Sequence, residues 1–409
     1  MKNIVVALLV SVILAGCAET SEKTLRRANG ISRIEVQSII SQAPPGRAPD
    51  FSGKDLVDSE LQGIEFKGAN FAGADMLGAS LRNANLSESN LEHADLSTAN
   101  LAEADLHNAN FENSILVDVD LRGANLMGAN LKGANLTGVK LAGAILTGAD
   151  FTGARIERAD FTKSQLANAN FAGANLRYAV FTGTYLAETI FSRTNLQYAD
   201  LRGADLSGLQ MTQVDLRHAD LRLANLSFTQ LAEIDFRDAD LGLADLSSAK
   251  LEDCNFVNAN MNKADLNEVT LLRSKLDRVN LDGARMRKIY IGNSSFNEAS
   301  LKDVNLFQGI VTNSEMRGAG LRGSSLINVD LTRSDLSQAD LADVNLNKAV
   351  LIKTRLMASD LSNADLRKSD IKEADFSGAN LTGANFTEVI NLGAALNIDK
   401  ARNADKAQF

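Results

Sequence analysis

Three histidines and two cysteines are the residues of this sequence whose side chains could bind a transition metal or act as nucleophiles. The histidines are His93, His107 and His218, and no cysteine lies near any of them. Because a zinc site needs several Cys or His ligands at short spacings, the sequence predicts no metal site. Cys17 ends an apolar N-terminal segment and Cys254 lies far along the chain, so no disulfide framework is expected.

Acidic residues are the second group that could do chemistry, as acid–base pairs or as calcium ligands. Asp200, Asp220 and Asp240 recur at every twentieth position. Such regularity favours carboxylates that accept hydrogen bonds from neighbouring backbone, and a ladder of calcium sites is the alternative. No nucleophile elbow, phosphate-binding loop or dinucleotide fingerprint stands out. We therefore predict no catalytic residues, no cofactor and no enzyme activity.

The overall charge limits the kinds of partner. The 409 residues include 42 Lys and Arg against 51 Asp and Glu, a formal net charge of −9. This mild acidity is spread along the chain. A protein that binds nucleic acid by neutralising its phosphates is therefore not expected.

The N-terminal segment has the pattern of a bacterial secretion signal. Lys2 supplies a positive charge, and residues 4–14 form an apolar run too short to span a bilayer. The Leu-Ala-Gly-Cys motif at 14–17 resembles the lipobox of bacterial lipoproteins. This resemblance implies that residues 1–16 are a signal peptide and that Cys17 becomes the lipidated N-terminus, carrying diacylglycerol. An ordinary secretion signal with an incidental Cys17 is the alternative.

The resemblance to lipoproteins also implies a location. Ala18 follows the cysteine, and the absence of Asp at this place implies sorting to the outer membrane in a Gram-negative cell. Several acyl chains, palmitate among them, anchor such proteins stably, whereas one chain alone binds marginally. We therefore expect a lipid-anchored protein of the cell envelope, attached to the membrane through Cys17.

Residues 17–50 are expected to form a tether and an N-terminal cap. All three prolines lie within residues 44–49, just before the sequence pattern changes. Apolar residues between Ile31 and Ile40 predict a short helix or strand that covers the first turn of the following region. A docking peptide for a partner is the alternative.

From Phe51 to Phe386, every fifth residue is apolar, without a single insertion or deletion. All 68 of these positions hold Leu, Phe, Met, Ile or Val. A small residue, usually Ala, stands two positions earlier, with mostly Asn or Asp between the two. A period of five matches no helix, and residues two apart in an extended strip point the same way. The pattern predicts strips with apolar and small residues inward, Asn or Asp outward, and two corner residues.

This pattern resembles the pentapeptide-repeat family, in which Ala, Asp or Asn, and Leu are followed by two variable residues. The resemblance covers residues 51–386 and implies an all-β fold, a right-handed quadrilateral β-helix. With four strips in each coil, the 68 strips give about 17 coils, closed by short terminal caps. Phe51, Phe71 and Phe111 are separated by multiples of four strips, which supports four strips per coil. One strip cannot bury its apolar face alone, so stacked coils are expected to share a core.

Cys254 and Asn391 depart from the usual residue types of their positions in the repeat. Cys254 takes the small inward position, and apolar burial suppresses its thiolate, so an inert filler is predicted. Asn391 occupies the next core position after Phe386, so the register is expected to fail there. Residues 387–409 are therefore predicted to be a cap and tail of helix or coil, with an open dimerisation surface as the alternative.

One set of outward residues is richer in aromatic and basic side chains than its surroundings. With four strips in each coil, one column holds Arg158 and the aromatic residues, and the other three arginines flank it. Tyr and Arg are the residue types that most often anchor interfaces. We predict a partner-binding patch formed by Arg158, Arg177, Tyr178, Tyr198, Arg217, His218 and Arg237. Ordinary variation on a solvated face is the alternative.

These features together predict a non-enzymatic, lipid-anchored envelope protein that presents a β-helical surface for protein–protein binding or serves a structural role. The family resemblance supplies the alternative, because some pentapeptide-repeat proteins resemble double-stranded DNA in width and charge and modulate DNA gyrase. The signal peptide counts against that alternative, since it removes the protein from the cytoplasm. The expected partner is a protein or another envelope component.

Overall fold

The computed structural model describes residues 30–409. The predicted signal peptide, Cys17 and the first part of the tether lie outside these residues. The chain forms two compact units, of which the first ends at Asp160 and the second runs Phe161–Phe409. In each unit, parallel pairing between successive turns builds a β-solenoid, which confirms the predicted all-β class. Across residues 30–409, no helix combines the length and the apolar character needed to cross a membrane.

An α-helix, α1 (Arg33–Gln42), precedes the repeats. It begins with a capping box: the Glu35 N–H donates to Ser32 Oγ at 3.3 Å, and the Ser32 N–H donates to Glu35 Oε2 at 2.7 Å. Val36 is fully buried, whereas Ile34 is 78% exposed. The predicted short element is therefore a helix that places Val36, and not Ile34, against the solenoid.

The residues around α1 also satisfy backbone groups of the first turn. The guanidinium of Arg33 donates to the carbonyl oxygens of Glu60 at 3.0 Å and Gln62 at 3.1 Å. The Ile31 N–H donates to the carbonyl oxygen of Asp55 at 3.0 Å. Within residues 30–409 no earlier turn pairs with these carbonyl groups, and unpaired strand edges invite pairing between molecules. The helix and its flanking residues thus cap the first edge by hydrogen bonding as well as by burial.

The five-residue periodicity becomes a buried core. Every one of the 68 apolar positions from Phe51 to Phe386 is at most 2% exposed. Parallel bridges join outward residues four strips apart, such as Asp50 with Asn70. The same register stacks the core rings of Phe51 and Phe71, whose centroids lie 4.9 Å apart with an interplanar angle of 11°. The predicted assignment of inward and outward positions is therefore confirmed.

Longer strands occur on one side of the second unit. They form a six-stranded parallel sheet whose strands follow in chain order, each paired with the one four strips further along the chain. The six strands are β1 (Gln210–Thr212), β2 (Gln230–Ala232), β3 (Lys250–Glu252), β4 (Thr270–Leu272), β5 (Tyr290–Gly292) and β6 (Ile310–Thr312). Elsewhere most strips contribute a single bridge and then turn.

Most corners are closed by two local hydrogen bonds. The outward Asn or Asp accepts from the N–H two residues later, as at Asn100, whose Oδ1 accepts from Ala102 at 3.1 Å. The small inward residue donates its N–H to the carbonyl three residues earlier, as Ala69 does to Phe66 at 2.8 Å. The second corner residue has positive φ, 68° at Gly123, the region where glycine is least strained. These bonds explain why Asn, Asp and Gly recur in the repeat.

Buried hydroxyl groups replace the local turn bond at the corners that follow β3 to β5. The Cys254 N–H donates to Ser274 Oγ at 3.1 Å, Ser274 to Ser294 at 3.1 Å, and Ser294 to Ser314 at 3.3 Å. A serine in one turn therefore satisfies the backbone of the turn before it. Cys254 is buried as predicted, and burial raises the pKa of its thiol to about 12. The sequence carries a signal for this ladder, since Ser takes the small position of every fourth strip in this stretch.

Ser274→Ala tests the hydroxyl ladder. The substitution removes the acceptor of the buried Cys254 N–H and should destabilise the second unit by about 1–3 kcal/mol. Ser89→Ala is the matched control, because the Phe66 carbonyl that Ser89 Oγ contacts at 3.1 Å also accepts from Ala69 at 2.8 Å. We expect a lower melting temperature and faster hydrogen exchange at Cys254 for Ser274→Ala only. Equal effects from both variants would contradict the ladder.

The C-terminal region continues the solenoid with a different period. Bridges pair Asp375 with Leu396, Asn380 with Arg402 and Asn385 with Gln408, so the strips lengthen from five residues to six. Each longer strip contains a 3₁₀ helix: Leu392–Ala394, Ile398–Lys400 and Ala404–Lys406. The register changes at Asn391 as expected, where φ is 62°. The predicted helix or coil is thus a further paired layer.

Candidate partner-binding surface

Three aromatic rings are stacked at one corner of the second unit. Tyr178, Tyr198 and His218 take the second corner position of successive turns, with φ of 61°, 59° and 59°. The ring centroids of the tyrosines lie 5.0 Å apart at 16°, and those of Tyr198 and His218 lie 4.7 Å apart at 11°. Tyr178 is 43% exposed and Tyr198 is 41% exposed. Three of the four residues of the predicted column are therefore stacked, and the role of the column in binding stays a prediction.

Arg177 lies against this stack. Its Cζ is 5.2 Å from the ring centroid of Tyr178 and 5.6 Å from that of Tyr198, within the range of cation–π attraction. Its Nη2 is 3.5 Å from the Tyr178 hydroxyl, the long limit of a hydrogen bond. Its Nε is buried without a hydrogen-bond partner. Arg177 thus carries its charge on the ring stack, without pairing to a carboxylate of the described residues.

The other two arginines of the predicted patch in this unit are held differently. Arg217 donates from Nε to Asp215 Oδ1 at 2.9 Å and from Nη2 to Asp215 Oδ2 at 2.7 Å. Arg237 makes the same pair of bonds to Asp235, at 2.9 and 2.6 Å. Both guanidinium groups are therefore occupied by a carboxylate two residues earlier in the chain.

This arrangement, which we call the Asp-x-Arg clip, recurs along the described chain. The Asp is the outward residue, the residue between is inward, and the Arg takes the first corner position. Each clip has both an Nε–Oδ1 and an Nη2–Oδ2 bond. The clips join Asp120 to Arg122, Asp200 to Arg202, Asp215 to Arg217, Asp220 to Arg222, Asp235 to Arg237 and Asp365 to Arg367. The Asp-Leu-Arg and Asp-Phe-Arg triplets are the sequence signal that the patch prediction overlooked.

The clips also perturb the ionisation of their carboxyl groups. The side-chain hydrogen bond from Arg222 lowers the pKa of Asp220 below its usual value, against the opposing effect of burial. Burial alone would raise the pKa of Asp215, but the bonds from Arg217 and Gln197 outweigh it and lower the pKa. Both carboxylates therefore remain ionised at neutral pH and neutralise the arginine beside them.

Arg158 belongs to the first unit. It is exposed, with φ of 60°, at the second corner position of its turn. Of the seven predicted patch residues, the structure brings Arg177, Tyr178, Tyr198 and His218 into contact as one cluster. We refer to these four residues as the ring cluster.

The aspartate column considered for calcium has a structural role in these contacts. Asp200 Oδ1 accepts the Arg202 N–H at 3.2 Å, and Asp240 Oδ1 accepts the Gly242 N–H at 3.0 Å. Arg202 and Arg222 lie between successive carboxylates, with Nε 3.7 Å from the Asp of the next turn. Within residues 30–409 no group of three or more His, Cys, Asp or Glu side chains is arranged to hold a metal ion.

The remaining histidines are engaged locally. His107 Nδ1 lies 2.8 Å from Asp105 Oδ1, two residues earlier, in the manner of the clips. His93 is exposed and lies 3.5 Å from Glu92. Both occupy corner positions of the repeat.

Large exposed apolar side chains at other corners of this unit were not foreseen from the sequence. Leu223, Phe228 and Leu243 are 65%, 67% and 55% exposed at corner positions with φ near +60°. Leu223 and Leu243 line a shallow cavity of about 510 Å³ with Arg202 and Arg222. Their sequence signal is a large apolar residue at the corner position that glycine often occupies. The surface of this unit therefore combines aromatic, apolar and basic groups.

Several solved structures are similar to this chain. HetL, a pentapeptide repeat protein involved in heterocyst differentiation regulation from the cyanobacterium Nostoc sp. strain PCC 7120, is 29% identical. The match covers 54% of this chain and 93% of that chain, with a TM-score of 0.30. A pentapeptide repeat protein from the Arabidopsis thaliana thylakoid lumen is 23% identical over 34% and 79%, with a TM-score of 0.26. QnrB1, a plasmid-mediated fluoroquinolone resistance protein, is 19% identical over 55% and 91%, with a TM-score of 0.27.

Comparison with curated proteins found no match. A sequence profile described as pentapeptide repeats (8 copies) matches most of the chain. The matched segments are residues 50–87, 64–102, 79–116, 104–143, 134–172, 169–208, 204–242, 244–283, 299–338, 314–356 and 359–390. Together with the five-residue core and the parallel pairing of every fourth strip, this match confirms the predicted resemblance. The chain belongs to the pentapeptide repeat family.

Proposed function

We propose that this protein is a non-enzymatic, lipid-anchored component of the bacterial cell envelope that binds a protein or another envelope component through the ring cluster. The exposed three-ring stack with Arg177 against it carries this proposal. Tyr and Arg anchor interfaces because each offers a large contact area together with polar groups. Leu223 and Leu243, at the next corner along the chain, add exposed apolar groups to this unit.

Support for a non-enzymatic role comes from how the chemically capable side chains are used. Asp200, Asp220 and Asp240 bond to backbone and arginine. His107 contacts Asp105, and burial raises the pKa of the Cys254 thiol. These Asp, His and Cys side chains therefore stabilise the fold. A solenoid surface built of five-residue strips is suited to binding.

The proposal includes a right-handed quadrilateral β-helix of about 17 coils for residues 51–386. Bridges that join each strip to the fourth strip after it, with one bridge in most strips, support four strips per coil. The proposed anchor rests on the lipobox-like motif at 14–17, which lies outside the described residues. The attached lipid at Cys17 would hold the protein on the membrane, in the outer membrane of a Gram-negative cell.

The alternative is a DNA-mimicking modulator of DNA gyrase, if residues 1–16 do not act as a signal peptide. A DNA mimic needs a continuous acidic surface. The clips at Asp200, Asp215, Asp220 and Asp235 each place a guanidinium on a carboxylate, so the negative charge of these columns is offset. This observation counts against the DNA-mimic alternative.

Fractionation combined with chemical crosslinking in intact cells tests both parts of the proposal. The wild-type chain should be recovered with membranes and crosslinked to a partner, and Cys17→Ser should move it to the soluble fraction. Tyr198→Ala should stay with membranes but lose the crosslink. Tyr290→Ala is the matched control, because Tyr290 is 42% exposed on β5. Membrane recovery of Cys17→Ser would contradict the anchor, and an unchanged crosslink in Tyr198→Ala would contradict the surface.

A further inference from the structure

The pairing of Arg177 differs from that of the arginines in the same column. Arg177, Arg217 and Arg237 all take the first corner position on one side of the solenoid. Asp215 and Asp235 stand two residues before Arg217 and Arg237 and form clips with them. Asn175 stands in that place before Arg177. The backbone N–H of Arg177 donates to Asn175 Oδ1 at 3.3 Å, but the guanidinium of Arg177 does not. One Asp-to-Asn difference thus leaves the Arg177 guanidinium without the carboxylate that its counterparts have.

We propose that Arg177 is the receptor for a carboxylate side chain of an acidic partner protein. The inference rests on the proposed function, since it names the partner chemistry of the ring cluster. The guanidinium lies on the rings of Tyr178 and Tyr198 and makes no ion pair with an acidic side chain of residues 30–409. Because Nε is buried, the terminal nitrogens Nη1 and Nη2 are the atoms that would donate hydrogen bonds to an incoming carboxylate. Two parallel N–H···O bonds to one carboxylate are the strongest pairing that a guanidinium offers.

The surroundings of Arg177 favour an anion. The Tyr178 hydroxyl lies 3.5 Å from Nη2 and supplies a further donor at the same place. The acidic side chains on the flanking column, Asp215 and Asp235, are already paired with their own arginines. An approaching carboxylate therefore meets one uncompensated cation and a hydroxyl donor.

The ring geometry favours a protein partner over a glycan or a nucleobase. Sugars and bases bind aromatic side chains chiefly by stacking on an open ring face. Tyr198 has Tyr178 on one face at 5.0 Å and His218 on the other at 4.7 Å. The central ring therefore presents its edge and its hydroxyl group, beside the guanidinium of Arg177. An acidic side chain on a protein surface fits these groups.

The test uses the full chain purified in detergent, with an N-acetylated hexaglutamate amide as the probe and hexaglutamine as its neutral counterpart. Tyrosine fluorescence reports binding, because two of the four tyrosines belong to the ring cluster. Asn175→Asp is the decisive variant, since it places an internal carboxylate where Asp215 and Asp235 stand in their clips. We expect saturable binding of hexaglutamate only, weakened at least tenfold by Asn175→Asp and by Arg177→Gln.

Asn255→Asp is the matched control. It adds the same charge in the same column, beside no arginine two residues on, and should leave the dissociation constant unchanged. Absence of hexaglutamate binding to the wild type, or equal binding to Asn175→Asp, would overturn the proposal. Displacement of the peptide by inorganic phosphate more readily than by glutamate, or Arg177-dependent binding to phosphatidylglycerol vesicles alone, would also overturn it.

The two proposals fail in distinguishable ways. If Tyr198→Ala removes the crosslink in cells and Asn175→Asp does not, the binding surface stands and the carboxylate receptor fails. If neither variant affects the crosslink, the proposed function fails at this surface.

Discussion

Leu226→Asp should unfold the turns around it, with a loss of about 4 kcal/mol or more. Leu226 is fully buried among the core residues of the second unit, and its backbone N–H bonds to the Asp245 carbonyl oxygen at 2.6 Å. The substitution places an unpaired carboxylate among apolar side chains, which costs several kcal/mol, and removes the packing of a leucine. Thermal unfolding followed by circular dichroism should show a melting temperature far below that of the wild type.

Asn255→Asp is the control for this prediction. The Asn255 side chain accepts the Val257 N–H at 3.2 Å through Oδ1, and a carboxylate oxygen can accept the same bond. Arg237 lies one turn earlier and can approach the new charge as Arg217 approaches Asp235, at 3.7 Å. We expect a change within about 0.5 kcal/mol, the usual range for surface substitutions. Comparable losses for the two variants would mean that the inward and outward positions are wrongly assigned.

The core could be predicted from the sequence because its cause is local and repeated. A five-residue period, with a small residue two places before each apolar one, has one consistent arrangement in extended strips. Cys254 followed the same rule, since a thiol in the small position must be buried among its neighbours. The pairing of each turn with the next then follows, because backbone N–H and C=O groups at each strip must find partners.

Hydrogen bonds between the outward Asn and Asp side chains of neighbouring turns could not be predicted in this way. Asn225 is an example: it is an ordinary outward residue by pattern, but its Nδ2 donates to Asp205 Oδ1 at 3.1 Å. An aspartate at 225 would replace that bond with two facing carboxylates, so this position is not silent. Whether an outward residue is free or paired depends on the residue four strips away.

In the candidate site, too, one feature could be predicted from the sequence and another could not. The stacking of Tyr178, Tyr198 and His218 followed from their spacing of four strips. The separate behaviour of Arg177 did not, because it depends on Asn175 standing where the equivalent turns have Asp. A search for Asp two residues before each Arg identifies the clips and separates Arg177 from Arg217 and Arg237 of its own column, and this rule can be applied to other pentapeptide repeat sequences.

Removal of residues 391–409 should cause the remaining chain to associate. In the full chain, the N–H groups of Phe376, Leu381 and Phe386 donate to Leu396, Arg402 and Gln408 at 3.1, 3.0 and 2.6 Å. Phe409 stacks on Phe386 with ring centroids 5.0 Å apart. Truncation after Ile390 exposes both the unpaired edge and the apolar ring, and such edges pair between molecules. Size-exclusion chromatography with light scattering, on chains lacking residues 1–17, should show a larger mass for the truncated chain.

Phe409→Ala separates the two causes of this association. The variant loses the ring contact with Phe386 but keeps the backbone layer that pairs with residues 375–385. If unpaired backbone drives association, Phe409→Ala should melt earlier than the wild type and keep its mass, while the truncated chain associates. If Phe409→Ala associates as well, exposure of the Phe386 ring is the cause. An unchanged mass for the truncated chain would show that the six-residue layer does not act as a cap. The edge that this layer covers would then remain exposed in solution without causing association.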